Sequence, residues 1–388
     1  MRGRRGPGCD GARGVKQTLA LGATGFGLIA VCYGFARFAF GLFLPAISAD
    51  FELSSSLAGI ISAGSFLGFC LAIVLAAWLT ERRGPRFVAV AAGVAGAAGM
   101  IGIASAASPA WLAAAVILAG SSTGLASPAL AAAVTAMLPP GKHDTTNTFI
   151  NAGTSAGVAL SGPVAALMGA EWRLAYAGFA GATLLMVVAT LKVLCAGAPR
   201  PAAAAPLLPR LSPDLTRLAA AAGLSGAAST VVWSFGADLL EANLGWSGRQ
   251  VGMLWTVMGC AGVVGAMAGS LIARCGMRVV HMVSHLALAL SVCAVGLEQA
   301  QPAFVFAGGA VFGAAYLMLT GVYLVWGVSA LPERPAHGVT LAFLALALGQ
   351  TLGAMAFGVA TENASSNIGV ALFAALSLAA GLVCPNRT

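Results

Sequence analysis

Apolar runs, each roughly 20 residues or longer and separated by short polar turns, occupy nearly the whole chain. Strands of a membrane barrel alternate apolar and polar residues, and these runs do not. Inside a bilayer every backbone N–H and C=O must be satisfied within its own segment, so continuous runs of this kind read as membrane-spanning α-helices. The balance of side chains agrees. Residues are 59% hydrophobic and 8% charged, whereas a soluble domain carries about a quarter charged residues. Helices are predicted at about 18–44, 57–79, 87–107, 111–137, 146–169, 173–195, 215–240, 249–272, 279–297, 303–330, 338–360 and 367–384. Twelve spans put both termini on one side.

The position of the basic residues sets the orientation. The formal charge is +8, which in isolation would fit a nucleic-acid partner. Sorting the 20 Lys and Arg by side gives 17 on the side of the termini: Arg2, Arg4, Arg5, Arg13 and Lys16 in the tail, eleven in turns, and Arg387. Arg173 and Arg249 lie opposite, and Arg37 falls inside a helix. This asymmetry is the positive-inside pattern, so the termini are expected to be cytoplasmic and no nucleic-acid role is expected. The run from Leu19 to Leu44 is too long for the core of a signal peptide and is read as an uncleaved first helix. The eight Cys are scattered without paired spacing, so neither disulfides nor a metal site is expected.

The second half of the chain repeats the first. Ala77-Trp78-Leu79-Thr80-Glu81-Arg82-Arg83-Gly84-Pro85-Arg86 aligns with Gly269-Ser270-Leu271-Ile272-Ala273-Arg274-Cys275-Gly276-Met277-Arg278, keeping Leu, Arg, Gly and Arg in register. Leu53 to Gly59 aligns with Trp246 to Gly252, each with a serine able to cap the next helix, and Leu138-Pro139 aligns with Leu331-Pro332. Between the halves, prolines 199, 201, 206, 209 and 213 rule out a continuous helix. The expected plan is a basic tail (1–17), a six-helix bundle (18–195), a Pro/Ala-rich linker (196–214), a second six-helix bundle (215–384) and a short tail (385–388). Parallel repeats of this sort are related by a pseudo-two-fold axis along the membrane normal, with the substrate path between them.

With the repeat, the linker and the basic turn, the chain resembles the major facilitator superfamily over its length past the tail. The turn 77–86 is similar to that family's Gly-x-Leu-x-Asp-Arg-x-Gly-Arg-Arg signature, with Ala77, Glu81 and Pro85 as departures. The segment Tyr33-Gly34-Phe35-Ala36-Arg37-Phe38-Ala39-Phe40-Gly41-Leu42-Phe43-Leu44-Pro45 resembles the YbfB/YjiJ-like bacterial branch. Gly162-Pro163 in the fifth helix faintly resembles an antiporter motif, and close helix packing through small residues is the other reading. The resemblance implies an all-α fold of two bundles, alternating access, and a cavity lined by helices 1, 4, 7 and 10. It also implies that Glu81, Arg82, Gly84, Arg86, Arg274 and Arg278 govern the conformational equilibrium.

Among the twelve runs, Arg37 is the one cation deep in a helix. A lone cation there costs at least ~2.5 kcal/mol unless it meets water, a carboxylate or an anionic ligand. Tyr33 and Phe40, at i−4 and i+3, share its face, so the three form a candidate anion site; a structural cation is the alternative. Polar and aromatic stripes add Thr123 and Ser127, Ser229 and Trp233, and Tyr316, Thr320 and Tyr323, with Asn147, Asn151, Thr154, Ser155, Gln350 and Thr351 as weaker candidates. No acid sits near mid-helix; Asp238, with Glu241 beyond it, is the nearest candidate for proton coupling or for a partner to Arg37, and Asp50 is another. His281 and His285 have an i,i+4 spacing near a cytoplasmic turn but lack an acid to complete a metal site. No nucleophile–base pair or paired carboxylates point to an enzyme, and no cofactor is expected. The reading is a monomeric secondary transporter of a small molecule in a bacterial inner membrane, with an organic anion as candidate substrate and H+ as candidate coupling ion. A non-transporting sensor or scaffold on the same fold is the alternative.

Overall fold

In the computed structural model, which describes residues 7–195, 212–298 and 300–385, the regular structure is helical throughout. Most of the linker (196–211), the start of the tail (1–6) and residues 386–388 lie outside the described residues. The helices are α1 (Pro7–Ile29, Ala30–Phe38 and Ala39–Phe51 in succession), α2 (Ser55–Arg83), α3 (Pro85–Ala104), α4 (Pro109–Met137), α5 (His143–Met168) and α6 (Trp172–Val193). The second half holds α7 (Pro213–Leu244), α8 (Gly248–Gly262, Val263–Met267 and Ala268–Cys275), α9 (Met277–Gly296), α10 (Pro302–Ala330), α11 (Pro335–Asn363) and α12 (Ser366–Leu382). Ten are long and apolar enough to cross a membrane, which makes this a multi-pass membrane protein. The other two are α5, rich in Asn, Thr, Ser and Gly, and α12, an apolar helix of 17 residues.

Local chemistry explains most helix ends. Ser54, Ser108, Ser212 and Ser365 each accept a hydrogen bond from a first-turn N–H, and Ser247 with Gln250 forms a capping box. The sharp turns at the two basic motifs need a backbone that L side chains avoid: Gly84 has φ 81° and Gly276 φ 82°. Glu81 and Ala273 each precede those glycines by three residues in the last turn of α2 and α8, and Leu138 and Leu331 each end their helices. Every anchor of the sequence repeat thus has a structural counterpart at the same place in the other half.

Three features of winding depart from the sequence reading. The first helix, expected to stop at Leu44, continues through Pro45 to Phe51. Proline removes a single N–H, the one that would reach the carbonyl of Gly41, and neighbouring helices support the chain past that gap. Arg37 therefore lies 14 residues from the helix end, roughly 21 Å at 1.5 Å per residue, deeper than the roughly 10 Å that an end at Leu44 would give. Secondly, Ala30–Phe38 is wound as a π-helix, with the N–H of Ala39 bonding the carbonyl of Gly34. Thirdly, α8 tightens to a 3-10 helix over Val263–Met267, where its counterpart α2 remains α-helical.

The two halves meet along α2 against α11, α5 against α8, and the later part of α1 against α7. The first two pairs are each other's counterparts under the repeat. Backbones touch there. A Cβ on Gly59 would sit 2.5 Å from the carbonyl oxygen of Ala354, and one on its repeat equivalent Gly252 would sit 2.4 Å from that of Gly162. These contacts cluster toward the face opposite the chain start, where Glu362 Oε2 of α11 also accepts from the N–H of Ser56 at the start of α2 (2.8 Å). Gly162, read from sequence either as antiporter motif or as packing, is in backbone contact with α8.

Candidate functional site

Arg37 is 5% exposed and sits where α1, α2 and α11 converge. Its Nη2 donates to Gln350 Oε1 at 2.7 Å. Arginine can only donate, so the amide of Gln350 must present its oxygen to Arg37. Its nitrogen then donates onward, to Tyr316 OH (3.1 Å) and Ser229 Oγ (3.4 Å). Ser229 spends its own proton on the carbonyl of Gly226. One amide therefore joins a cation of the first half to two hydroxyls of the second.

Aromatic rings enclose the guanidinium. Its carbon lies 4.6 Å from the ring centre of Phe69, 5.1 Å from Phe66, 5.3 Å from Phe38 and 5.7 Å from Tyr33. Ring faces attract a cation by ~0.5–2 kcal/mol each, which offsets part of the burial cost. Phe38 in turn stacks on Trp233 of α7 (4.2 Å), and Trp233 meets Tyr316 (5.4 Å) and Phe312 (5.2 Å) edge-on. Tyr33 OH shares a hydrogen bond with Ser127 Oγ of α4 (2.9 Å). The centre thus gathers side chains from helices 1, 2, 4, 7, 10 and 11.

Two donors in this centre are buried without a partner: Nε of Arg37 and Nε1 of Trp233. Buried donors are normally satisfied, and each orphan costs about 1–3 kcal/mol. No carboxylate forms an ion pair with Arg37 among the described residues. The expected partners are placed elsewhere. Asp50 pairs with Arg173 and accepts from Trp172 Nε1 (2.9 Å), tying α1 to α6. Asp238 is half-buried in α7 and bonds neither Arg37 nor Gln350, and Glu241 is exposed.

The remaining sequence candidates divide. Tyr33, Ser127, Ser229, Trp233 and Tyr316 join the Arg37 centre through the contacts above. Phe40 is buried at 2% in the core, and Phe38 takes the place beside Arg37 that an α-helical reading assigned to Phe40. The π winding is the reason: it brings residue i+5, not i+4, over residue i, and so rotates everything after Ala30. Thr123 and Thr320 bond to carbonyls of their own helices, Gly120 and Leu317.

Tyr323 belongs to a separate cluster. His281 and His285, expected near a turn, are fully buried in the second half. His285 Nε2 meets Tyr323 OH (2.9 Å), His285 Nδ1 meets Ser377 Oγ (3.2 Å), and Tyr323 OH donates to the carbonyl of Ala221 (3.1 Å). These bonds stitch α9, α10, α12 and α7 together. Tyr323→Phe is expected to leave His285 Nε2 unpaired and to destabilise the protein by about 1–2 kcal/mol in thermal unfolding. A fall in substrate affinity at unchanged stability would return Tyr323 to the transport site.

Residues of the basic turns face the side on which the chain starts. Glu81, Arg82, Arg274 and Arg278 are exposed. Arg82 lies over Trp78 of its own helix (4.3 Å), and Arg86 Nη2 donates to the carbonyl of Leu191 (2.8 Å), within the first half. Phe66 and Phe69 are not among the sequence candidates, and Gln350, a weaker candidate there, is central here. The two phenylalanines had a signal, an i,i+3 pair in α2, but nothing local ties it to Arg37.

Comparison with known proteins fits this architecture. Residues 26–213 match the family described as Major Facilitator Superfamily. No curated protein sequence matches the chain. Among solved structures, a mutant of the nucleoside transporter NupG superposes with a TM-score of 0.77 at 14% identity, covering 94% of this chain and 98% of that one. The xylose transporter XylE from E. coli, in a partially occluded inward open conformation, gives 0.75 at 14% identity, covering 95% and 97%. A peptide transporter, POT, in complex with sulfate gives 0.75 at 15% identity, covering 95% and 93%. At these identities the likeness shows that the chain shares the fold of these three transporters.

Proposed function

We propose that this protein is a secondary transporter of a small organic anion, working by alternating access between bundles 18–195 and 215–384. All twelve helices cross the membrane in this reading, with the tail 1–17, the linker 196–214 and the tail 385–388 cytoplasmic, in a bacterial inner membrane. The protein acts as a monomer with a proton as coupling ion. One observation carries the substrate assignment: a buried arginine at the junction of the halves has a neutral partner, an unpaired Nε–H and, among the described residues, no carboxylate. A fixed cation with spare donors and no internal counter-charge is complementary to an anion.

The contacts between halves support a state closed on the outer face. Glycine backbones touch there, while the charged cytoplasmic turns are exposed or bonded within their own half. Superfamily resemblance supports a role for Glu81, Arg82, Gly84, Arg86, Arg274 and Arg278 in switching between this state and the opposite one. Uptake into proteoliposomes, with a panel of organic anions, cations and neutral solutes and an imposed pH gradient, tests the reading. Uptake of anions alone, driven by the gradient and abolished by Arg37→Gln, is the expected result; uptake indifferent to Arg37 overturns it.

The bond from Ser56 to Glu362 is an outer latch in this reading. Glu362→Gln keeps the shape of the side chain but exchanges a charged acceptor for a neutral one at the start of α2, where the helix dipole favours an anion. Faster labelling, by an impermeant maleimide, of cysteines introduced on the outer side between α2 and α11 is expected. Unchanged labelling would make the contact incidental.

A further inference from the structure

The two unsatisfied features of Arg37 have a common geometry. On a guanidinium, Nε–H and one Nη2–H point from the same edge and form a two-pronged fork matched to the two oxygens of a carboxylate. Gln350 Oε1 accepts from Nη2 at 2.7 Å, and Nε beside it has no partner. The amide oxygen meets Nη2 alone and leaves Nε–H unmet, where a carboxylate would bring a second oxygen. Nothing else supplies the second acceptor, because the surroundings are the rings of Phe69, Phe66, Phe38 and Tyr33.

We propose that Gln350 is a built-in competitor: its amide oxygen holds half of a carboxylate site, and the carboxylate of the substrate displaces it to take both prongs of Arg37. This rests on the anion-transport reading above and names the class of anion. The neighbours narrow it further. Phe38, Trp233, Phe312 and Tyr316 form a contiguous aromatic wall beside the fork. Such a wall favours a monocarboxylate with an apolar or aromatic body over a doubly charged, strongly hydrated phosphate. The orphan Nε1 of Trp233 offers one further hydrogen bond to a polar group on that body.

Displacement also acts on the joint between the halves. Gln350 is on α11 and Arg37 on α1, so their bond crosses from one half to the other. The substrate exchanges this bond for its own two, and Gln350 keeps its hold on Tyr316 and Ser229 within the second half. An occupied site is therefore freer to part at α1 and α11 than an empty one.

Benzoate and benzamide provide the test, since they share a ring and differ in presenting two anionic oxygens or one neutral one. Binding is read by tryptophan fluorescence and thermal shift on the full-length protein, with inorganic phosphate as a third probe. Benzoate is expected to bind the parent at least about tenfold more tightly than benzamide, and phosphate to have no effect. Gln350→Glu places a carboxylate against the fork and should weaken benzoate at least about 100-fold while the protein stays folded. Gln350→Ala removes the competitor and should tighten benzoate about three- to tenfold. Benzoate binding no better than benzamide overturns the carboxylate assignment. Benzoate binding retained within threefold by Gln350→Glu, or lost in Gln350→Ala, overturns competition by Gln350. Failure of the anion-transport reading has a different signature: uptake of every substrate that is unaffected by Arg37→Gln.

Discussion

Replacing Arg37 by alanine is expected to reduce uptake by about 100-fold or more, because losing one partner of a desolvated, hydrogen-bonded charge pair costs ~2–5 kcal/mol. The protein should still insert and fold. Truncation forfeits the ring contacts and the bond to Gln350, but it also relieves the burial of a cation at mid-membrane, a cost of at least ~2.5 kcal/mol. These contributions oppose each other, so the unfolding temperature should move far less than transport does. Lysine separates charge from shape. Arg37→Lys keeps the positive charge and some of the attraction to Phe69 and Phe66, but a single ammonium cannot present the fork. Its uptake should fall between the parent and alanine. Equal uptake by the lysine variant and the parent would mean that charge suffices and the fork is irrelevant. Normal uptake by the alanine variant would leave Arg37 as a structural cation held by its rings.

The scaffold was legible in the sequence for a simple physical reason. A helix in lipid must satisfy its backbone internally, so spans appear as long apolar runs whatever the tertiary structure does. The repeat was legible because Gly84 and Gly276 meet the same conformational demand at a positive φ. Arg37 stood out because a charge in such a run is expensive. What stayed hidden depends on contacts remote in sequence. Gln350 bonds Arg37 across 313 positions, and nothing near either residue encodes that. The π winding of Ala30–Phe38 exchanges Phe38 for Phe40 as the neighbour of the cation, a change that no α-helical periodicity can anticipate. Pro45 directly follows the end expected at Leu44. It is a strong breaker in water, and within a packed membrane bundle the helix continues past it. His281 and His285 do follow the turn at Gly276, but their burial was hidden, because His285 meets Tyr323 and Ser377 and His281 meets the carbonyl of Ala380, all on other helices.

Introducing leucine at Gly252 is expected to abolish transport by a route that does not touch the central site. Gly252 and Gly162 meet backbone to backbone: a Cβ on the first would lie 2.4 Å from the carbonyl oxygen of the second, and one on the second 2.2 Å from that of the first. No rotamer relieves a clash with backbone, so α5 and α8 must separate. If the halves move as rigid bodies, separation there also parts the symmetry-related pair α2 and α11 toward the outer face, and the closed outer state becomes inaccessible. Cys70 reports this movement. It is buried between α2 and α11, in a cluster with Phe69, Ile73 and Ala347. In a protein whose other cysteines are replaced by serine, an impermeant maleimide added from outside should label Cys70 in Gly252→Leu and spare it in the parent. Gly269, also in α8, has open space at its Cβ position, so Gly269→Leu is the matched control and should transport normally. Uptake at the parent rate in Gly252→Leu, with Cys70 still protected, would mean that the outer face need not close at this contact. Lost uptake with Cys70 protected and the helix content intact would place the damage within one half instead of in the rocking between them.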